Sequence, residues 1–334
     1  MPLSVTALKT ANFTLLPDPN ELTRLCKALG DDLRMDILRL LKSESFGVQE
    51  ISTVLDIRQS ALSHHLKILA SVGLVSSRRE GNSIFYRRAL ILDSDPLEEF
   101  KNSAFANIDR LTLPDPVLQR VRLVQKERSQ LSLNFFTRHA AKFAEKQGLV
   151  AELKQYASNL DGLIADMELD QSSTVLEVGP GEGELLLRLG RHFERVIGLD
   201  NAPEMLQQAQ TTINRGKAEN VQLLLGDTSV ALQQQIKCDL MILNMVLHHI
   251  PSPGEIFAHA AQLLNPGASL LIVDLCSHDQ DWVRESCGDL WLGFDSADLE
   301  KWATDTGLVV GQGLYLGLRN GFQIQMRLFA NTNN

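Results

Sequence analysis

The chain has 334 residues, 44% apolar and 22% charged, enough for two or three folded domains and too apolar for a large disordered share. No apolar run approaches the roughly 18 residues that a membrane span needs, so no membrane partner is expected. The net charge of -9 argues against a nucleic-acid partner over the whole surface, but its distribution does not: residues 58–88 hold six basic side chains and one acidic, a local +5, while residues 101–334 hold 20 basic and 28 acidic.

The N-terminal stretch MPLSVTALKTANFTLLPDPN has one lysine and no strong apolar core, and reads as a loose arm over residues 1–19. The four cysteines, Cys26, Cys238, Cys276 and Cys287, lie far apart with no CxxC pair. That spacing fits a reducing cytoplasm and no compact cysteine metal site, so no metal is expected.

Residues 20–110 form the first expected domain. Leu22, Leu25, Cys26 and Leu29 recur at helical spacing, Gly30-Asp31-Asp32 breaks that helix and offers an N-cap, and Leu33, Ile37, Leu40 and Leu41 mark a second. A short helix over about 47–55 turns Val48, Ile51 and Leu55 inward. After a tight turn at 56–58, a helix from Gln59 to Ser71 buries Leu62, Leu66 and Leu69, with Gly73 placed for a left-handed cap. Two strand-like runs then flank Gly81-Asn82, a two-residue hairpin turn. Helix, turn, helix and hairpin is the winged helix-turn-helix order. Its second helix would enter the major groove with Gln59, Ser60, Ser63, His64 and Lys67 outward, and Arg78, Arg79 and Arg87 of the hairpin would grip phosphates or the minor groove. His65 is expected to pack. The plainer alternative is a helical domain with a solvated basic hairpin.

LCKALGDDLRMDILRLL, SALSHHLKIL and GLVSSRREGNSIFYRR, in that order, resemble the ArsR/SmtB family of bacterial regulators over about residues 20–110. The resemblance implies a dimeric winged-helix repressor of double-stranded operator DNA. Metal-sensing members carry a cysteine pair on the helix before the recognition helix, where this chain reads FGVQEISTVL without cysteine.

Residues 95–166 read as helical throughout, broken at LPDP, with Pro116 suited to a first helical turn. Within them, 111–150 is an expected connector. Its charged first half suits a bridge, and its second half, with Phe135, Phe136, His139, Ala140 and Phe143, suits a lid over a ligand.

From residue 151 to 334 a second domain is expected, with strands and helices alternating from residue 173, the signature of a doubly wound, mostly parallel sheet. STVLEVG runs into Gly179-Pro180-Gly181-Glu182-Gly183. RVIGLD ends in Asp200, 17 residues after Gly183, and VQLLLGD ends in Asp227. Glycines let backbone approach a ligand, and an acid ending the second strand can hold two ribose hydroxyls. Alone, such a loop also fits a tight turn or a dinucleotide fold.

VLEVGPGEG, GLDNAPEML, LLLGDT, DLMILNMVLHHIPSP and LLNPGASLLIVDL together resemble class I methyltransferases dependent on S-adenosylmethionine (SAM), from about residue 135 onward. The resemblance implies a Rossmann-like sheet that binds SAM or S-adenosylhomocysteine (SAH). Glu177, Gly179, Gly181 and Gly183 would line the methionine side, Asp200 would hold the ribose, Asn201 and Met205 would flank the ring, Asp227 would bind the adenine, and Asn244 would sit near the amino acid or sulfonium. His248 and His249 follow the fourth strand, where an acceptor lies; one can act as a base, or both are ordinary helix-start residues. Asp281, Trp282 and Trp291 either shape an acceptor pocket or pack a helix.

The fold class expected is therefore α/β, an N-terminal winged helix domain followed by a C-terminal doubly wound sheet. The function expected is a cytoplasmic, homodimeric transcription regulator with SAM or SAH as effector. Fused proteins of this type resemble regulators of methionine and SAM-cycle genes, and SAH is the preferred effector. The alternative is an active small-molecule methyltransferase with an autoregulatory DNA-binding domain. A metal-responsive repressor would need paired cysteine or histidine ligands that the sequence does not display.

Overall fold

The computed structural model describes residues 18–81, 83–140 and 143–332. Most of the expected arm, Asn82 of the hairpin turn and the side chain of Phe143 lie outside the described residues. The boundary between two compact units falls between Leu118 and Gln119, with Arg79–Ile84 grouped in the second unit.

In the first unit, α1 (Pro19–Leu29) starts with Asp18 accepting from the Asn20 N–H and stops at Gly30. Only Leu25 and Ala28 of α1 are buried. Leu22 and Cys26, expected on the inner stripe, are exposed, because the buried line of this helix runs one residue further round. Asp31 caps α2 (Asp32–Leu40), its carboxylate accepting from the Arg34 N–H at 3.0 Å. After β1 (Phe46–Gly47) comes α3 (Val48–Leu55), which buries Ile51 and Val54 while Val48 and Leu55 are half-buried. Asp56 turns the chain at φ 56° into α4 (Gln59–Ser71), whose Leu62, Leu66 and Leu69 are fully buried.

The end of α4 shows why glycine stands at 73. Gly73 has φ 68°, its N–H reaches Ala70 O, and the Leu74 N–H reaches Leu69 O at 3.0 Å. That six-to-one hydrogen bond is a Schellman cap, and it turns the chain into the hairpin. Strands β2 (Val75–Glu80) and β3 (Ser83–Arg88) join β1 in the order β1-β3-β2, with Phe46 opposite Tyr86. Helix α5 (Glu98–Ile108) follows.

Four helices span the next stretch: α6 (Asp115–His139), α7 (Phe143–Val150) and α8 (Leu153–Asp166) precede the main sheet, and α9 (Glu184–Leu189) follows its first strand. The strands are β4 (Thr174–Val178), β5 (Arg195–Asp200), β6 (Val221–Leu225), β7 (Cys238–Asn244), β8 (Leu264–Leu275), β9 (Val309–Gly317) and β10 (Gln323–Ala330). Helices α10 (Pro203–Gly216), α11 (Thr228–Gln233), α12 (Pro253–Leu263), α13 (Trp282–Ser286) and α14 (Ser296–Asp305) connect them.

The seven strands run β6-β5-β4-β7-β8-β10-β9. All neighbours are parallel except β10, which is antiparallel to β8 and β9. This is the doubly wound, Rossmann-like arrangement. The strand order reverses between β4 and β7, so their carboxyl ends diverge into a crevice. Val175, Leu240, Ile242, Leu271 and Val273 form the centre of the core beneath it.

Replacing Gly73 by alanine is expected to cost about 1–2 kcal/mol, because an L side chain must then hold the left-handed conformation of the cap. The first transition in a urea unfolding series checks this, and an unchanged midpoint would contradict it.

Candidate functional site

The outward face of α4 carries only side chains that packing does not need. Gln59, Ser60, Ser63, His64 and Lys67 are all exposed, opposite the three buried leucines. Ser63 Oγ donates to Gln59 O, and the His64 ring meets that of His65 edge-on at 5.8 Å. His65 is half-buried, its Nδ1 3.5 Å from Asp31 Oδ1. On the hairpin Arg79 is exposed, whereas Arg78 and Arg87 are half-buried, and Arg87 Nε donates to Ser76 Oγ at 3.2 Å. Arg88, counted in the basic stretch, is not at the surface. It is buried, donates to Leu38 O at 2.7 Å and to Asp109 Oδ1 at 2.6 Å, and lies over the Phe105 ring. It is a structural cation tying β3 to α2 and α5; Glu80, the one acid of the stretch, is buried as well, so the two buried charges cancel and the local count of +5 stands.

In the second unit the loop after β4 has three left-handed glycines: Gly179 at φ 65°, Gly181 at 55° and Gly183 at 82°. A Cβ on Gly179 would stand 2.2 Å from Val246 Cγ2, and one on Gly183 would meet Ala209 Cα at 3.1 Å. Gly179 and Gly183 are therefore set by packing as well as by any ligand.

Two cavities flank it. One, of about 310 Å³, is bordered by Gly179, Gly181, Asp200, Asn201, Met205 and Asp227, and by Ser132 and Phe136 of α6. The other, of about 380 Å³, is bordered by Tyr156, Glu177, Gly179, Gly181 and Asn244. Both are in the size range of small-molecule sites. The expected residues thus divide: Asp200, Asn201, Met205 and Asp227 on one side, Glu177 and Asn244 on the other, and Gly179 and Gly181 between. Gly183 borders neither cavity and instead sits at the start of α9.

The carboxylates differ in environment. Glu177 is fully buried, and its Oε2 has no hydrogen-bond partner among the described residues. Burial pushes its carboxyl up to about 8. Burial also raises Asp200, to about 6, against the backbone N–H groups of Ala202 and Asn201 that favour its charged form. Asp227 is exposed, and its Oδ1 accepts from the Ser229 and Val230 N–H groups as the cap of α11. Asn244 Oδ1 accepts from the buried Tyr156 hydroxyl at 3.0 Å. Sequence reasoning missed Tyr156, since nothing local marks a helix tyrosine that reaches a strand end 88 residues away.

His248 and His249 lie in a short 3-10 turn, Leu247–His249, at 1% and 4% exposure. His248 Nδ1 is 2.7 Å from Asp274 Oδ1, and the same carboxylate accepts from the N–H groups of Leu247, His248 and Leu275. Burial alone would lower His248, but Asp274 and Asp289 carry it up to about 9. Burial and the neighbouring His248 hold His249 well below its ordinary value. His249 borders the first cavity and meets the Phe136 ring edge-on at 4.9 Å. Both rings are buried, in the turn that follows β7. Asp274 and Asp289 were missed: the first was legible as an acid inside the apolar run LLIVDL, while the second has no signal in sequence. Trp291 packs rather than lining either cavity: Arg128 lies over its ring and its Nε1 donates to Ile250 O at 2.8 Å.

An exposed polar helix in a winged fold and a glycine-loop site in a Rossmann-like sheet define a two-part protein with a nucleic-acid-type surface and a small-molecule-type pocket. The chain belongs to the methyltransferase domain family, whose family model matches residues 146–312, half its length. Residues 31–77 match the bacterial regulatory protein, arsR family model. The chain thus joins an ArsR-type helix-turn-helix region to a methyltransferase domain.

The first region is similar to the transcriptional activator HlyU of Vibrio cholerae, 42% identical over 62 residues, covering 19% of this chain and 57% of that protein. It is also similar to the biofilm growth-associated repressor of Agrobacterium fabrum, 41% identical over 69 residues, 21% of this chain and 59% of that one. The second region is similar to the arsenite methyltransferase of Halobacterium salinarum, 27% identical over 131 residues, 36% of this chain and 34% of that protein. The chain spans between about a third and three fifths of these relatives. A solved structure of a Haloferax volcanii methyltransferase with its Trm112 activator aligns over 59% of this chain and 98% of that one, at 16% identity and TM-score 0.48. Among the described residues, no helix is long and apolar enough to cross a membrane.

The Glu177 carboxyl gives a signed pH prediction. Its folded value near 8 lies above the ordinary 4.5, so between those values the folded chain holds a proton that the unfolded chain has released. Stability without ligand should fall as pH rises through that window. Glu177→Gln should therefore stabilise the ligand-free protein at pH 9 by up to a few kcal/mol, with the gain vanishing toward pH 5. Thermal unfolding of both proteins across that range checks this, and a gain independent of pH would contradict it.

Proposed function

We propose that this protein is a DNA-binding transcription regulator whose methyltransferase domain binds SAM or SAH as an effector. The observation that carries the ligand half is Glu177: a buried carboxylate oxygen without a partner, bordering a cavity at a glycine loop, suits the α-ammonium group that both ligands carry. Asn244 borders the same cavity, while Asp200 borders the other, where its carboxylate suits a ribose diol and Met205 an adenine face. Asp227 keeps Oδ2 for the adenine amino group while Oδ1 caps α11. When bound, SAM supplies a sulfonium-activated methyl group and SAH supplies none, so an effector role distinguishes the two by charge.

The DNA half rests on α4, whose exposed amide, hydroxyl, imidazole and ammonium groups are those that read base edges and phosphates in a major groove. We read the regulator as a homodimer in the cytoplasm that represses genes of methionine and SAM turnover, with SAH as signal. Ligand acts on DNA binding only through a difference in affinity between two states of the chain.

Calorimetry of SAM and SAH binding, paired with a shift assay on duplexes selected from a random-sequence pool, tests this reading. One site per chain is expected, at least about ten-fold weaker in Glu177→Gln because an ionic hydrogen bond is lost. DNA affinity should differ between the free, SAM-bound and SAH-bound protein, and equality of all three removes the effector role. Lys67→Ala should weaken all duplexes alike and lower the salt slope by about 1 if Lys67 meets a phosphate. Steady conversion of SAM to SAH with an acceptor would favour the enzymatic reading instead.

A further inference from the structure

We propose that His248, His249 and Asp289 form a binding site for one divalent transition ion of the zinc class. The three residues each bring a ligand atom within 4.8 Å of the other two. Asp289 Oδ1 lies 3.9 Å from His248 Nε2 and 3.8 Å from His249 Nδ1. Zinc holds nitrogen and oxygen at about 2.0–2.2 Å, which puts neighbouring ligand atoms of a tetrahedron roughly 3.4 Å apart. Closing the gap between Asp289 and each imidazole requires a movement of a few tenths of an ångström.

The hydrogen bonding favours an ion over a closed ion pair. Asp289 is 3% exposed, yet among the described residues neither of its oxygens has a hydrogen-bond partner, while His249 Nδ1, the nitrogen facing it, has only a 3.3 Å contact to Gly288 O, which an ion would have to displace. Two orphaned carboxylate oxygens in one buried place are costly, because buried carboxylates lose several kcal/mol of hydration unless partnered. His248 is already served on its other side: Asp274 holds Nδ1 at 2.7 Å, leaving Nε2 turned to Asp289. A carboxylate behind a histidine is the arrangement that fixes the tautomer and ring of a metal-bound imidazole. The surroundings are rigid as well. A Cβ on Gly288 would stand 2.4 Å from Phe135, and the Phe136 ring packs against His249.

Two imidazoles and one carboxylate suit zinc or its first-row neighbours, and three protein ligands leave a coordination position open. His249 also borders the larger glycine-loop cavity's neighbour, the 310 Å³ space, so the ion would sit in that cavity's wall. The cysteines take no part: Cys287 donates to Lys146 O at 3.5 Å. The ion would be a second input to the methyltransferase domain, independent of whether SAM or SAH binds.

The full chain, untagged and stripped with a chelator, is titrated with Zn²⁺ by calorimetry and then loaded with Co²⁺ for absorption spectroscopy. We expect one Zn²⁺ per chain and a cobalt spectrum of nitrogen and oxygen ligands without thiolate charge transfer. Asp289→Asn should abolish stoichiometric binding. Asp274→Asn, which touches no metal, should weaken binding about 10- to 100-fold in protein that circular dichroism shows to be folded. Absence of stoichiometric uptake by the parent chain, uptake unchanged in a folded Asp289→Asn, or a thiolate band in the cobalt spectrum would each overturn the site. If either variant fails to fold, the stoichiometry and cobalt spectrum of the parent chain decide.

Discussion

The second unit depends on one buried carboxylate. Asp274, at the end of β8, accepts hydrogen bonds from the backbone N–H groups of Leu247, His248 and Leu275 and pairs with the His248 ring. Those bonds hold the turn after β7 against the end of β8. The same turn carries Val246, whose side chain leaves no room for anything but glycine at 179. It also carries His249, which reaches the cavity wall. The shape of the glycine loop, the histidine pair and the border between the two cavities thus trace back to one acid with full hydrogen-bond satisfaction. Its neighbour Asp289 shows the contrast: also buried, its carboxylate has no hydrogen bond among the described residues.

The two candidate sites are built by opposite means. On α4 the leucines hold the helix and the polar face is free, so what the helix touches is decided by side-chain ends in water. Around the glycine loop recognition is built from backbone, from the absence of Cβ atoms and from carboxylates whose charge is made costly by burial. Such a site gains most when a ligand brings the missing partner, because the desolvation has already been incurred in folding.

Much of this was legible from local pattern. The limits of α4, the cap at Gly73, the hairpin and the β-strand succession from Thr174 follow from periodicity and from glycine placement, which depend on neighbours in the chain. The site residues around Gly179 were legible for the same reason, since strand ends in a parallel sheet converge on one edge. What was not legible depends on distant contacts. Arg88 reads as one more cation of a basic hairpin until Leu38 O and Asp109 turn it inward. Leu22 and Cys26 share a stripe with Leu25, yet the packing of α1 favours Ala28 instead. Asp289 is an unremarked acid in CGDLW until the fold sets it beside two histidines.

The separation of duties on α4 has a consequence for how such a chain can change. Gln59, Ser60, Ser63, His64 and Lys67 contribute little to holding the helix, so they can be exchanged one at a time without passing through an unfolded intermediate. Around Gly179 no such freedom exists, because each replacement disturbs Val246, the turn behind it and the strand beyond. Over many generations the surface of α4 can change residue by residue while the glycine loop and the turn behind it stay as they are.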